Sequence, residues 1–350
     1  IDFQTRPHEA IPGLNKLTGR VFADQRNAQG QREPEALTLT FNSLLRDPHG
    51  VEKFSSSVDI TALDSGVLVS VDHINLSNAD ISLQGRAWME TRAGNRPFLS
   101  LRTSYKGGRA KSTGKYLPVS IMPKRTVEWL DKSILGGEIT QGGLLFHGRL
   151  QKFSVLEKDM SGEFHALFDV HNPDVDFLPK WPHARKGFGL ASFHNLSMDL
   201  SFTDVDFAGT MLDSVSIGIA DFLKPKLKIH GSADTDSKTL MNSLQAMPVV
   251  NVIDEINRRS QRVGGSVKSV IDLNIPLARG QKKPWTLKAT ADLHNVDLSI
   301  PEWMVYLQKV NGRLQIDDEI IEATALKGMY GKDPVRIDIK SNKAKDTTNF

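Results

Sequence analysis

No cysteine occurs among the 350 residues, so neither a disulfide framework nor a thiolate zinc site is available. That lack suits an exported protein that avoids an oxidising compartment as well as it suits a cytosolic one, and leaves the compartment open. No stretch approaches the roughly 20 apolar residues of a membrane-spanning helix, and Ile1-Asp2-Phe3-Gln4-Thr5-Arg6 shows no basic segment leading into an apolar one. An anchor or export signal is therefore expected elsewhere. The chain starts without methionine and ends in polar residues just after a strand pattern, and reads as an excerpt of a longer protein. A strong charge of one sign is missing as well: 44 Lys and Arg against 41 Asp and Glu leave +3. The basic residues are spread out, which argues against a nucleic-acid partner.

Catalytic signatures are equally scarce. There is no His-Glu-x-x-His helix, no Gly-x-Ser-x-Gly elbow and no glycine fingerprint after a strand. The run Gly107-Gly108-Arg109-Ala110-Lys111-Ser112-Thr113-Gly114-Lys115 is superficially like a phosphate-binding loop. Five residues separate Gly108 from Gly114, however, and Tyr116 stands where a magnesium-holding Ser or Thr is needed, so the match is rejected. Alternation over Phe164 to His171 puts His165, Asp169 and His171 on one face, a set that could ligate a metal but reads first as a solvated polar face. Asp204, Asp206 and Asp213 are scattered near strand ends, where turn chemistry accounts for them. Neither a cofactor nor enzymatic activity is expected.

What the chain does contain is enough apolar material to fold, 39% hydrophobic against 24% charged residues, arranged almost everywhere with period two. Leu37, Leu39 and Phe41 alternate with Thr38 and Thr40; Val215, Ile217 and Ile219 alternate with Ser216 and Gly218. Leu287 to Leu293, Leu314-Gln315-Ile316 and Val335, Ile337 and Ile339 repeat the pattern. These are expected to be half-buried antiparallel strands. Two helices are expected, over about 123–135 (Val127, Leu130, Ile134, then Gly136-Gly137) and about 238–259 (Leu240, Leu244, Met247, interrupted at Pro248). Too few to cover the sheet, they are read as plugs or lids.

Weak internal repetition accompanies the strands. Ile74-Asn75-Leu76-Ser77 returns as His194-Asn195-Leu196-Ser197 and His294-Asn295-Val296-Asp297, with an echo at His171-Asn172-Pro173-Asp174, each read as a turn feeding a strand. Gly-Arg-Leu-Gln occurs at Gly148 to Gln151 and at Gly312 to Gln315, which suggests reuse of one strand-and-turn unit. Arg102, Lys106, Arg109, Lys111 and Lys115 make the most basic segment, with no acidic residue among them. It reads first as a flexible loop; the functional alternative is contact with an anionic lipid headgroup or membrane surface.

Tyr116-Leu117-Pro118, Met122-Pro123 and Trp129-Leu130-Asp131-Lys132-Ser133-Ile134-Leu135-Gly136-Gly137 resemble the central region of the YhdP-like branch of the AsmA-like family. So do Gly142 to Leu150, Gly162 to Phe177, Trp181-Pro182 and Asn274-Ile275-Pro276-Leu277, in the same order. Ser154 after Phe153 departs from the proline the family pattern carries. The resemblance implies an elongated, twisted antiparallel sheet, mainly β with a few short helices, curled into a groove with an apolar concave face. It divides into an N-terminal β segment, 1–115, and a central segment, 116–345, that carries the two helical insertions.

By function, the resemblance implies a periplasmic bridge-like protein of a Gram-negative envelope, anchored in the inner membrane by a helix absent here, that carries phospholipids towards the outer membrane. Phospholipid acyl chains would then be the partner. The concave lining is expected from Leu37, Leu39, Phe41, Val215, Ile217, Ile219, Leu287, Leu293, Leu314, Ile316, Val335, Ile337 and Ile339, with headgroup contact from Arg102, Lys106, Arg109, Lys111 and Lys115. The alternatives are a non-conducting envelope scaffold or assembly protein of the same superfamily, with its face filled by side chains, and a β-solenoid carbohydrate enzyme. The enzyme would need converging carboxylates that no pattern here provides.

Overall fold

A computed structural model describes residues 2–5, 13–18, 20–23, 27–31, 37–40, 46, 49–117, 119–120, 122, 124–151, 161–247, 259, 262–277, 285–318 and 320–340. The fold is mainly β, with a large antiparallel sheet and a few short helices. Two compact units are formed, one from residues 1–173, 189–199 and 220–223, the other from 174–188, 200–219 and 224–350.

In the first unit the short strands Asp2–Thr5, Gly13–Thr18, Leu37–Thr40 and His49–Val51 form a four-stranded sheet in that order. A second sheet runs through Arg20–Ala23, Asn27–Gln31, Lys53–Leu63, Gly66–Ser77, Ser82–Arg92, Phe98–Arg109, Ile134–Arg149 and Gly162–Val175. In the second unit Thr210–Ile219, Lys226–Asp236, Arg262–Pro276, Thr286–Ile300, Val305–Asp317, Ile320–Tyr330 and Asp333–Lys340 follow one another as antiparallel neighbours. Sequential pairing of this kind needs only short connections. The Ala208-Gly209 turn has φ of 52° and 91°, the doubly positive geometry that matches strand twist in a tight hairpin. The Gly209 N–H is held by Asp206 Oδ1 at 3.0 Å.

The first expected helix is shorter than its periodicity suggested. It spans Lys124–Ser133, and Ile134 opens the strand Ile134–Arg149 instead of closing the helix. Ile134 packs against the buried Tyr105, Ala110 and Ile139, so a sheet contact outweighs its place in the helical repeat. The second helix spans Ser237–Gln245, with Asp236 as its N-cap accepting from the Thr239 N–H at 2.9 Å. Residues 248–258 of that expected helix lie outside the described residues.

The basic segment is not a loop. Arg102, Lys106 and Arg109 belong to the strand Phe98–Arg109, Lys111 to the turn Ala110–Ser112, and Lys115 to the short helix Thr113–Tyr116. Between the cations, Thr103, Tyr105 and Gly108 are buried. Their contacts supply the strand with the apolar face that the charges conceal in sequence.

The repeated His-Asn phrases also resolve differently from the expected turns. Only Asn195 sits in a turn; Asn172 and Asn295 lie within strands, at φ of 48° and 50°, and in the first phrase the left-handed residue is His73, just ahead of Ile74, at 53°. Pairing shifts register at His73 and Asn295, between Val71 and Ile74 and between Leu293 and Val296. A left-handed residue there inserts an unpaired position, a bulge, and Asn tolerates that conformation better than most side chains.

Candidate functional site

Register builds a continuous apolar face in the second unit. Ile217 pairs with Ile229, Ile229 with Leu273 and Leu273 with Leu287. One row further, Val215, Gly231, Ile271, Ala289, Ile316 and Ile321 are cross-strand partners in succession. A third row joins Ser269, Ala291, Leu314, Ala323 and Ile339. Directly opposed residues share a sheet face, so these rows make one surface across seven strands. Val215, Ile219 and Leu287 on it are buried, whereas Ile217, Leu293, Leu314, Ile316, Val335, Ile337 and Ile339 are half-buried. Their neighbours Ser216, Lys288, Gln315 and Arg336 are exposed.

The bulges keep this surface apolar over long strands. In Thr286–Ile300 the face is made by Leu287, Ala289, Ala291 and Leu293; past Asn295 it passes to Val296, Leu298 and Ile300. In Val305–Asp317 it passes from Leu307 to Val310 across Lys309, and in Ile320–Tyr330 from Ala323 to Leu326 across Ala325. Lys309 and Ala325 have φ of 50° and 58°. One inserted residue turns odd-numbered alternation into even and leaves the face unchanged. Val310, Ala323 and Leu326 are thereby buried together, with Leu293, Leu314, Ile337 and Ile339 packed around them. The N–H of each of these three inserted residues finds an acceptor on a neighbouring strand. Asn295 donates to Asn311 Oδ1 at 3.1 Å, Lys309 to Asp297 Oδ1 at 2.9 Å and Ala325 to Asp338 Oδ1 at 2.6 Å.

The first unit has its own apolar face, outside the expected lining. Leu99, Leu101, Thr103 and Tyr105 oppose Met89, Ala87, Gly85 and Leu83 on one side, and Gly148, Phe146, Leu144 and Gly142 on the other. Alternation over Leu99 to Tyr105 carries this signal, masked by Arg102 and Lys106 between. Phe146 and Leu196 are buried at its centre, with Met122 and Phe222 packed on from outside the strands. The Tyr105 ring lies over Gly142, where a Cβ would come within 2.4 Å of it. Its hydroxyl donates to the Leu167 carbonyl oxygen at 2.9 Å. Burial pushes that phenol well above its ordinary pKa, so it remains a neutral donor. Of the expected lining, Leu37 and Leu39 fall on the strand Leu37–Thr40 of the separate four-stranded sheet, and Phe41 lies outside the described residues.

All five cations of the basic segment are exposed. Lys115 is drawn to Asp80 at 2.8 Å, and Ser112 also donates to Asp80 at 2.8 Å. The Lys115 ammonium, opposed by burial and aided by Ser112, holds the Asp80 carboxyl below its usual range; Asp80 in turn raises Lys115. Arg102 and Lys106 point to the face opposite Leu101, Thr103 and Tyr105. His171 and Asp169 approach to 3.5 Å, while the His165 ring faces Ser192 and His194, and among the described residues no group of three metal-ligating side chains converges.

The chain matches the family described as YhdP protein over residues 1–350. A curated relative, the intermembrane phospholipid transporter YhdP of Escherichia coli (strain K12), is 20% identical over 349 residues, which is 97% of this chain and 26% of that protein. No solved structure matches the chain.

Proposed function

The chain belongs to the YhdP family, and from that premise we propose that its apolar sheet face is a hydrophobic-groove segment of a periplasmic bridge-like protein. That protein would conduct phospholipids between inner and outer membrane and support the outer-membrane barrier. The observation that carries the reading is the unbroken apolar surface across seven strands of the second unit, much of it only half-buried among the described residues. A sheet face of this kind needs a cover, and acyl chains provide one while gaining about 0.8 kcal/mol for each methylene kept from water. A seven-residue strand spans about 23 Å, longer than one leaflet's hydrocarbon of about 15 Å, so tails lie within its reach.

In this reading the tails slide along the surface and no bond is made or broken. The exposed Arg102, Lys106, Arg109 and Lys111 meet the anionic headgroups of a membrane surface and not those of the lipid in transit, since Arg102 and Lys106 lie on the other face of the sheet, at about 1 kcal/mol per cation. Anchoring in the inner membrane, and the energy for directed movement, come from parts of the longer protein beyond this chain.

One observation favours the scaffold alternative for the first unit. Met122 and Phe222 already pack on Phe146 and Leu196, so part of that face is filled by protein. The two readings separate at Ile217, which is half-buried on the apolar surface, and Ser216, which is exposed on the other face. Ile217→Asp puts a carboxylate that tails cannot solvate in their path, whereas Ser216→Asp stays in water. We expect lipid photocrosslinking from neighbouring positions and growth under detergent stress to fail with Ile217→Asp and persist with Ser216→Asp, both variants remaining folded. Equal behaviour of the two would leave the scaffold as the better reading.

A further inference from the structure

A second site lies on the polar side of the first unit. Arg86 and Arg102 are directly opposed on neighbouring strands, both exposed, and neither has a hydrogen-bond or ion-pair partner among the described residues. Like charges facing each other across two strands are destabilising, and a sequence under no other constraint would place a carboxylate at one of the two positions. The pair lines an open cavity of about 770 Å³ that also takes in Asn75, Gln84, Ser104 and His165. The bulge at His73, opposite Arg86, bends the strand Gly66–Ser77 at its rim. Gly143 opposes Ser104 and adds no side chain, while Leu145 and Leu167 form an apolar flank. Asp72, also in the lining, is the one carboxylate there, and it makes no ion pair with either guanidinium.

The geometry points to a phosphate-group site: Arg86 and Arg102 clamp one phosphate ester between two guanidiniums, with Ser104 and Gln84 as further donors and Leu145 and Leu167 against an apolar substituent. Planar guanidiniums suit bidentate contact with phosphate oxygens, and the bound anion removes the repulsion between them. This site is on the face opposite the apolar surface of its own unit, so it does not depend on tails being conducted there. Its phosphate can come from a lipid headgroup at a membrane surface or from a free phosphate compound.

The test uses the 350-residue chain at constant ionic strength, with two arms: inorganic phosphate followed by thermal shift, and phosphatidylglycerol–phosphatidylcholine vesicles followed by cosedimentation. We expect saturable binding in at least one arm, weakened roughly tenfold or more by Arg86→Gln or Arg102→Gln and unchanged by Lys124→Gln on the helix Lys124–Ser133. Inorganic phosphate binding without vesicle recruitment identifies a free phosphate compound; vesicle recruitment that both arginine variants lose identifies a headgroup. Without ligand, each arginine variant should melt at or above the parent temperature, because repulsion is relieved. Absence of saturable binding in both arms, an equal loss with Lys124→Gln, or a lowered melting temperature for both arginine variants would overturn the proposal.

Discussion

The Lys309 backbone N–H donates to Asp297 Oδ1 at 2.9 Å, with Lys309 held at a φ of 50°. The bond links two bulges on adjacent strands. Asp297 lies two residues after the left-handed Asn295, and the Asn295 N–H is itself held by Asn311, two residues after Lys309. Each strand thus closes the irregularity of its neighbour, and the apolar face runs through both without a break.

Asp297→Ala should therefore destabilise the second unit by about 0.5–1.5 kcal/mol, the usual net worth of a hydrogen bond whose exposed N–H can turn to water instead. Asp297→Asn, which retains an oxygen at the same place, should restore most of the loss. Urea denaturation of the three chains measures the difference, and equal midpoints for Ala and Asn would show that the bond is not what holds the bulge.

Ala325 occupies the same kind of position at φ 58° without a polar side chain to ease it. A left-handed conformation costs a non-glycine residue about 1–2 kcal/mol, part of which glycine returns as unfolded-chain entropy. Ala325→Gly is expected to raise stability by up to about 1 kcal/mol, a rare gain for glycine within a strand. A fall in the denaturation midpoint would contradict the bulge assignment.

Gly142 and Tyr105 make a close-packed pair in the first unit. An alanine Cβ at 142 would stand 2.4 Å from the tyrosine ring and 2.3 Å from the Leu167 carbonyl oxygen, and the latter is backbone that cannot step aside. Gly142→Ala should cost more than about 2 kcal/mol by overpacking. Tyr105→Phe keeps the ring and removes the hydroxyl, which donates to the carbonyl oxygens of Leu167 at 2.9 Å and Gly143 at 3.3 Å, for about 1 kcal/mol. Thermal denaturation should rank the parent above Tyr105→Phe and Tyr105→Phe above Gly142→Ala.

Acid should weaken the Asp80 cluster in a predictable direction. Lys115 foremost, then Ser112, hold the folded carboxyl below its unfolded value of roughly 4. A depressed carboxyl contributes stability that is present above the unfolded value and lost as pH falls through the folded one. The pair is partly exposed, with Lys115 at 54% and Asp80 at 14%, so the contribution is at most about 1 kcal/mol. Asp80→Asn should be less stable than the parent at pH 7 and indistinguishable from it well below pH 4; a difference that persists in strong acid would assign the effect to packing.

The β class, the antiparallel strands and the apolar side of the alternating runs in the second unit were legible from period two alone, because burial on one face imposes that period directly on the residues. Val215 to Ile219 and Val335 to Ile339 illustrate it. Family membership was legible from ordered phrases such as Trp129 to Gly137, which cover the chain more specifically than composition can. The start of a helix was legible too, but not its end at Ser133, since whether Ile134 continues a helix or opens a strand depends on Tyr105 and Ile139, which sit elsewhere in the chain.

Tertiary structure alone decided how the alternating runs join. Period two is broken wherever a bulge falls, so a reading of Thr286–Ile300 that stops at Leu293 misses that Val296, Leu298 and Ile300 carry the same face onward. The His294-Asn295 phrase marked one such place, while Lys309 and Ala325 carry no phrase; and an αL residue in a turn and one in a bulge have the same local chemistry, so only cross-strand pairing distinguishes them. For the same reason Arg86 and Arg102 gave no sign of each other: they are 16 positions apart in the chain, and it is the register between their two strands that sets one guanidinium opposite the other.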